Sequence, residues 1–406
     1  MAMLLTAVGL LAVSLASGQV QTTPKMARPA QDLSKLPYFS KEAYLCGQRG
    51  SEWLLRHNGP DGRFAPGLVP ALRVPQEDDS FLRQAGATLA LAKAAKFYGD
   101  EQAAAVARQA ILTLLLDTAV DAKNPQVRSC SLPPNVVNPL GAAALLARAI
   151  YELPAPASDL LDQADQLCYY IVQTQQADGA FATAQVRTVS LTIDEQTSTL
   201  VYAGEALATL MRSHQTRPAP WKLEAVRRSL THYQSPWRAQ KQLAPASLIT
   251  EALASLHAAT DDKAIADFVF ELNDWLCTFQ YQKVDPLHPT WIGGFMSCAD
   301  GKAVPTPPQV TTALSIASLV HASRVARKVG DVQRWERYKL AAEKALQFLT
   351  TLQFTEANTQ HFADWYRPSL VGAFHTSPID GGIRLDGTRL AVCTFVDYLT
   401  YLAAVQ

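Results

Sequence analysis

Glu52-Trp53-Leu54-Leu55 running on to Asp61-Gly62-Arg63-Phe64, and Tyr169-Tyr170-Ile171-Val172 running on to Asp178-Gly179-Ala180-Phe181, are two copies of one helix-then-corner phrase. They start roughly 117 residues apart, too far for one hairpin and suited to two helical hairpins in series. Around them apolar residues recur at the 3.6-residue period of a helix, with no sustained period-two alternation outside short loop pieces. The periodicity predicts twelve helices in six pairs: about 40–58 with 78–98, 101–117 with 134–153, 158–176 with 194–214, 221–233 with 245–260, 262–281 with 308–329, and 332–354 with 386–405.

Connection lengths give these pairs a direction. Between pairs the links are tight, as at Gly99-Asp100, Pro154-Ala155-Pro156, Thr260-Asp261 and Gly330-Asp331. Inside the first, fifth and sixth pairs the loops run to about twenty to thirty residues, a length usually kept for function. All six intra-pair loops fall at the same end of the hairpins and converge on one rim. The second helix of each pair is poorer in charge and richer in small residues, so it should form an inner wall. The expected fold is all-α, an (α/α)6 toroid of six hairpins and twelve helices with long loops at one rim. The N-termini of the six inner helices point to that rim, where their unpaired N–H groups favour an anionic ligand.

The chain has 406 residues, 48% hydrophobic and 18% charged, with a formal net charge of zero. No basic field exists to hold nucleic acid or an anionic membrane. Residues 1–18 form a short apolar run ending in Ala16-Ser17-Gly18, small residues of the kind cut by signal peptidase. The expected organisation is a signal peptide over 1–18, a disordered leader over 19–37 and one toroid domain over 38–406. The mature protein would be exported, periplasmic or secreted, with no stable membrane insertion after cleavage. Six cysteines (Cys46, Cys130, Cys168, Cys277, Cys298, Cys393) are widely spread, and their pairing is not readable from sequence. Cys168 and Cys277 read as buried helix residues, whereas Cys130 and Cys298 fall in loops where export would permit a disulfide.

Chemistry-bearing residues gather at the rim. Glu77-Asp78-Asp79 opens the first inner helix, and Asp79 with Arg83 has the four-residue spacing of an ion pair. One reading makes them a cap and a surface pair. The other makes Asp79 an acid/base and Arg83 an anion binder. Asp194-Glu195 opens the third inner helix and Asp386 the sixth, flanked by Arg384 and Arg389. Three carboxylates entering one cavity suit acid/base work on a sugar. Tyr366, Trp365 and His375 in the last loop, with Trp291 in the fifth, offer ring stacking and proton transfer, or alternatively a plug for the top of the toroid. The Asp-Gly-x-Phe phrases, with Gly293-Gly294-Phe295 and Gly372-Ala373-Phe374, read as corners in which glycine takes a positive φ. No phosphate-loop, dinucleotide or nucleophile-elbow motif is present, and the lone histidines suggest no metal site, so no cofactor is expected.

Gln175-Gln176-Ala177-Asp178-Gly179-Ala180-Phe181 resembles the Gln-Trp-type repeats of the terpenoid cyclase and protein prenyltransferase toroid superfamily. The acidic Asp-x-Asp-Asp motif of its cyclases and the zinc ligands of its transferases have no counterpart here, which disfavours polyprene chemistry. A second likeness is to exported bacterial toroid proteins related to the C-terminal domain of glucuronyl epimerases. It rests on Asp79-Ser80-Phe81-Leu82-Arg83-Gln84-Ala85-Gly86-Ala87 and on Gly372-Ala373-Phe374-His375-Thr376-Ser377 followed by Ile383-Arg384-Leu385-Asp386. That group implies uronic-acid glycans and a proton abstracted beside a carboxylate. The expected function is therefore epimerisation, lyase or hydrolase chemistry on an acidic glycan. The catalytic candidates are Asp79, Asp386, Tyr366 and Asp194. Arg83, Arg384, Arg389, Glu195, Trp365, His375 and Trp291 are candidates for binding a glycan or other small acidic ligand. The alternatives are a non-catalytic binding toroid and a terpenoid cyclase-like enzyme.

Overall fold

The computed structural model describes residues 33–77, 79–130, 138–182 and 195–402. The predicted signal peptide and Asp194 lie outside these residues. The side chain of Glu195 is likewise not described. No helix among the described residues is long and apolar enough to cross a membrane.

Six hairpins follow one another: α1 (Tyr38–Arg56) with α2 (Phe81–Tyr98), α3 (Glu101–Leu116) with α4 (Pro139–Glu152), α5 (Ser158–Gln173) with α6 (Glu195–Thr216), α7 (Pro220–Ala239) with α8 (Leu243–Thr260), α9 (Lys263–Leu276) with α10 (Thr312–Val329), and α11 (Val332–Thr351) with α13 (Leu385–Tyr401), the short α12 (Arg367–Leu370) lying in the last loop. Each inner helix packs on the next, α2 on α4 on α6 on α8 on α10 on α13, and α13 returns to α2. The fold is the (α/α)6 toroid. Composition decides which helices go inside: α4 buries nearly its whole circumference, from Leu140 to Tyr151, as a helix apolar all round must. The outer helix α5 buries one stripe, Leu160, Ala164, Leu167, Cys168 and Ile171, and leaves the rest to solvent.

Two expectations about the loops need correction. The fourth hairpin has a shorter loop than the predicted bounds of 233 and 245 imply. Its outer helix does not stop near Tyr233 but runs through Pro236 to Ala239, and α8 begins at Leu243. Trp237 explains the extension, because its fully buried ring packs edge-on against Phe268 and Trp275. That burial outweighs the helix hydrogen bond lost at the proline. The loops also carry short antiparallel strands: β1 (Gly67–Val69), β2 (Val74–Pro75), β3 (Ala119–Val120), β4 (Arg128–Ser129), β5 (Ser297–Ala299), β6 (Lys302–Val304), β7 (His375–Ser377) and β8 (Asp380–Arg384). Four of them form a sheet of order β2-β1-β8-β7, in which Gly67 faces Arg384 and Leu68 faces Ile383. The first and last loops are thereby strapped together at the rim, above the contact between α2 and α13.

The corner phrase is one structural device used four times. Isolated bridges join Asn58 to Phe64, Gln175 to Phe181, Gln280 to Phe295 and Gln353 to Phe374, and each phenylalanine is buried. The glycine in each corner has positive φ: Gly62 (80°), Gly179 (94°), Gly293 (86°) and Gly372 (99°). A Cβ there would collide with the next outer helix: Thr113 of α3, the Arg228 carbonyl of α7, the Lys344 carbonyl of α11 and the Arg49 carbonyl of α1 respectively. In three corners a glutamine crosses the same seam. Gln175 Nε2 donates to the Ala225 carbonyl, Gln280 Nε2 to that of Ala341 and Gln353 Nε2 to that of Cys46, at 2.8–2.9 Å. The repeat is thus a joint between neighbouring hairpins, and the last joint, from α11 to α1, closes the outer ring. Gly293→Ala and Gly372→Ala should each destabilise the fold by about 2–4 kcal/mol, combining left-handed strain with overpacking. Denaturant melts that shift by less than a quarter of that would contradict this role.

All six cysteines are unpaired, with Cys46, Cys130 and Cys168 buried. The permitted disulfide between loop cysteines is absent, and Cys130 is instead a fully buried core residue whose thiol burial pushes up.

Candidate functional site

The α13 N-terminus at the rim holds Asp386 between two guanidinium groups. β8 ends at Arg384, which enters α13 as its N-cap position without capping it through its side chain. Asp386 follows in the first helical turn, where the helix dipole favours a carboxylate. Its Oδ1 is 3.5 Å from Arg384 Nε and 3.9 Å from Arg83 Nε, which reaches over from α2. These are ion-pair distances rather than hydrogen bonds, and the buried Oδ1 has no hydrogen-bond partner. Asp386 keeps 39% of its side chain exposed. Two guanidinium groups thus hold the buried Oδ1, and the exposed part of the carboxylate faces the mouth, where it is placed to exchange a proton with a ligand.

One turn further down α13, Arg389 turns into the ring. Its guanidinium lies over Gly86 of α2, where any Cβ would strike it, and its Nη1 is 4.0 Å from Glu205 Oε1 on α6. Arg389 therefore supports the floor beneath Asp386. Tyr202, one turn above Glu205 on α6, packs on Gly141 of α4 and lies within electrostatic reach of Arg389, Glu205 and Arg83. Burial raises its phenol above the ordinary range.

Below this floor each inner helix sends one ionisable side chain to the ring axis. Lys93 pairs with Asp397 at 2.5 Å, Arg148 with Glu205 at 3.4 Å and with Glu251, and His321 Nε2 stands 4.0 Å from Glu251. Three cations, Lys93, Arg148 and Arg389, balance three carboxylates, Glu205, Glu251 and Asp397. Burial works against the Glu251 charge, but Arg148 outweighs it and holds the carboxyl below the usual carboxylate range. Burial likewise opposes the Arg148 charge, and Glu251 with Glu205 reverses the effect. At His321 burial prevails over the pull of Glu251 and Asp397 and brings the imidazolium down to about 4. This axis is a charged, polar column, unlike the dry aromatic chamber that the terpenoid cyclase-like alternative requires.

His321 carries a pH prediction. Its folded pKa lies below the value of about 6.5 for a free imidazole, so the unfolded chain binds the proton more tightly. Stability is then fully present above pH 6.5 and falls as pH drops towards 4, by roughly 2–4 kcal/mol. His57 and His375 are shifted the same way by burial and add to the slope. Unfolding free energies of the wild type and His321→Gln, compared between pH 7 and 4.5, should diverge. Parallel curves would contradict the assignment.

Other predicted site residues are placed elsewhere. Asp79 does not pair with Arg83: it accepts from Gln84 Nε2 at 3.0 and 3.1 Å and from Ser80 N. Ser80 is the N-cap of α2, so Asp79 lies outside the helix and the i,i+4 rule does not apply to it. Its role is to orient Gln84, whose amide holds both the N–H and the carbonyl of Phe64. Tyr366 is buried against Phe362 and Trp365, with Arg73 5.9 Å from its ring. Trp365 is 71% exposed under the same Arg73. His375 sits in β7 with Nδ1 2.8 Å from the Ser377 carbonyl. Trp291 is buried and stacked on His288 at 3.8 Å, so it plugs its own loop rather than facing a ligand. Of the predicted set, Asp386, Arg384 and Arg83 converge, and Arg389 lies directly beneath them. Sequence reasoning missed Tyr202, Glu205, Arg148, Glu251, His321, Lys93 and Asp397. The available signal was the recurrence of one ionisable residue mid-way along each Ala-rich inner helix.

No family model matches the chain, and no curated protein does so. Solved structures do. An unsaturated glucuronyl hydrolase specific for heparin superposes with a TM-score of 0.60 at 12% identity, over 89% of this chain and 98% of its own. Cellobiose 2-epimerase from Bacillus thermoamylovorans superposes with a TM-score of 0.60 at 12% identity, over 85% and 95%. A D-mannose isomerase superposes with a TM-score of 0.62 at 12% identity, over 89% and 99%. At this identity the likeness is one of fold, and it extends over nearly the whole of each chain.

Proposed function

We propose that this toroid is an exported carbohydrate-active enzyme, periplasmic or secreted, acting on acidic glycans by epimerisation, elimination or hydrolysis. The observation that carries the reading is Asp386, a part-exposed carboxylate held in ion-pair range of Arg83 and Arg384 at the mouth. Structures sharing the fold act on a glucuronyl substrate, on cellobiose and on mannose, which supports a sugar as ligand. In this reading Arg83 and Arg384 hold the carboxylate of a uronic acid in place, a task suited to planar, permanently charged guanidinium groups. Their charge also stabilises the negative charge that develops when the carbon beside that carboxylate loses its proton. Asp386 takes that proton, or, if the reaction is hydrolytic, takes the proton of a water that attacks the anomeric carbon while the glycosidic oxygen leaves protonated by a second group. Tyr202 is the second proton-bearing group on the opposite wall. The N-terminal apolar segment supports export.

A uronic-acid glycan and its carboxyl-reduced counterpart test the reading directly. Reduction leaves the ring and linkages but removes the group that the arginines hold, so kcat/KM should fall by on the order of 100-fold or more. Equal turnover of both would reject the acidic-substrate reading.

A further inference from the structure

Between the first turns of α8 and α10 the rim opens into a cavity of about 480 Å³, walled by the short fourth loop and the end of the fifth. This is within the size range of small-molecule sites. Its uncharged polar lining is mostly amides and hydroxyls, among them Gln240, Gln242, Gln309, Ser247, Thr311 and Ser315. Lys241 and Asp300 are the charged residues of the wall, and they are opposite in sign. The Lys241 ammonium is engaged over the Trp237 ring at 5.3 Å and near Trp275 at 6.0 Å. Phe295 and Met296 supply an apolar patch.

Two observations mark the cavity as built for a ligand. Ser247 is only 4% exposed and its hydroxyl has no hydrogen-bond partner, and Gln242 Oε1 is likewise buried and unpartnered. Buried polar atoms are nearly always paired, so two unpaired ones on one wall call for a partner from outside the chain. In addition, Gln242 does not cap α8 through its side chain, which leaves the Leu243 and Ala244 N–H groups of the first α8 turn at the opening.

The cavity adjoins the proposed reaction site. Gln309 is followed by Val310, whose side chain packs on Gly387, the residue after Asp386, while Val310 N donates to the Thr376 carbonyl at 2.9 Å. One side chain separates the cavity from the Asp386 turn. We infer that it is a saccharide subsite that takes a neutral hexose unit linked to the acidic residue held by Arg83 and Arg384. Side-chain amides and hydroxyls both donate and accept, as the alternating hydroxyls of a sugar require, and the balanced wall gives a carboxylate no preference. The apolar patch fits the C–H face of the ring. The inference rests on the proposed function for the acidic unit, and it narrows the substrate to glycans in which uronic acid is joined to neutral sugar.

Two readings of the full-length protein test it. The first is the ratio of kcat/KM for an acidic unit linked to a neutral hexose over the same acidic unit carrying a methyl group. Ser247→Leu fills the wall, and Gln309→Leu changes an exposed edge residue with little risk to folding. Each should lower that ratio by about tenfold or more, and an unchanged ratio in both folded variants overturns the subsite while leaving the proposed function standing. The second is saturation-transfer NMR with the neutral disaccharides cellobiose and mannobiose, which needs no turnover. Transfer to either disaccharide that is lost in Gln309→Leu supports the subsite even if no acidic glycan reacts. No transfer to either one overturns it.

Discussion

Replacing Arg148 with methionine is expected to destabilise the toroid by about 3–5 kcal/mol, chiefly the cost of leaving the buried Glu205 carboxylate without its main counter-charge. Arg148 projects from α4 to Glu205 on α6 and to Glu251 on α8, so a single side chain ties three of the six inner helices. Its side chain is 8% exposed, as is that of Glu205, so at that pair water has little access to replace what it provides. Methionine keeps the length and apolar stem, so the loss isolates charge rather than volume. Adding Glu205→Gln and Glu251→Gln to the same chain should recover part of the stability, because neutral amides tolerate burial better than unpaired carboxylates. Urea unfolding of the single and triple variants checks both statements. A loss below about 1 kcal/mol for Arg148→Met would mean that the column is hydrated and carries little of the fold.

Exchange of Asp386 for asparagine should lower kcat by roughly 10²–10⁴-fold, the range for removal of a positioned acid or base. The substitution keeps shape and leaves the α13 first turn in place, since Asp386 is not the capping residue. Arg83 and Arg384 remain, so KM for an acidic glycan should change much less than kcat. Circular dichroism and melting of the variant establish that it is folded. A folded Asp386→Asn protein with undiminished turnover would remove Asp386 from the chemistry.

How much of this was legible in the chain differs by length scale. The hairpin count, the inner wall and the rim followed from periodicity and from the contrast between tight and long connections, because both are local properties. The corner glycines were readable for the same reason: a positive φ after a helix has few residues that can adopt it. Asp386 and Arg384 are neighbours in sequence, and their proximity survived folding. What was not legible is what ring closure brings together. Lys93 and Asp397 are about 300 residues apart in the chain, and nothing local to either announces the pair. The strap of β1 on β8 is equally non-local, and nothing in two short loop segments announces their pairing. Asp79 shows the reverse error. Its spacing from Arg83 fits a helical pair, but the helix starts two residues too late for the rule to apply.

The central claim is that the mouth around Asp386 performs proton chemistry on an acidic glycan. Incubating the mature protein with uronic-acid glycans in deuterated water tests it most directly, read by NMR and mass spectrometry. Deuterium at the carbon beside the carboxylate, an unsaturated uronate or new reducing ends would each be the predicted result, and each identifies the reaction class. Glycans recovered without deuterium, unsaturation or cleavage across the panel, while still retained by the protein, would contradict the claim and leave a binding toroid in its place.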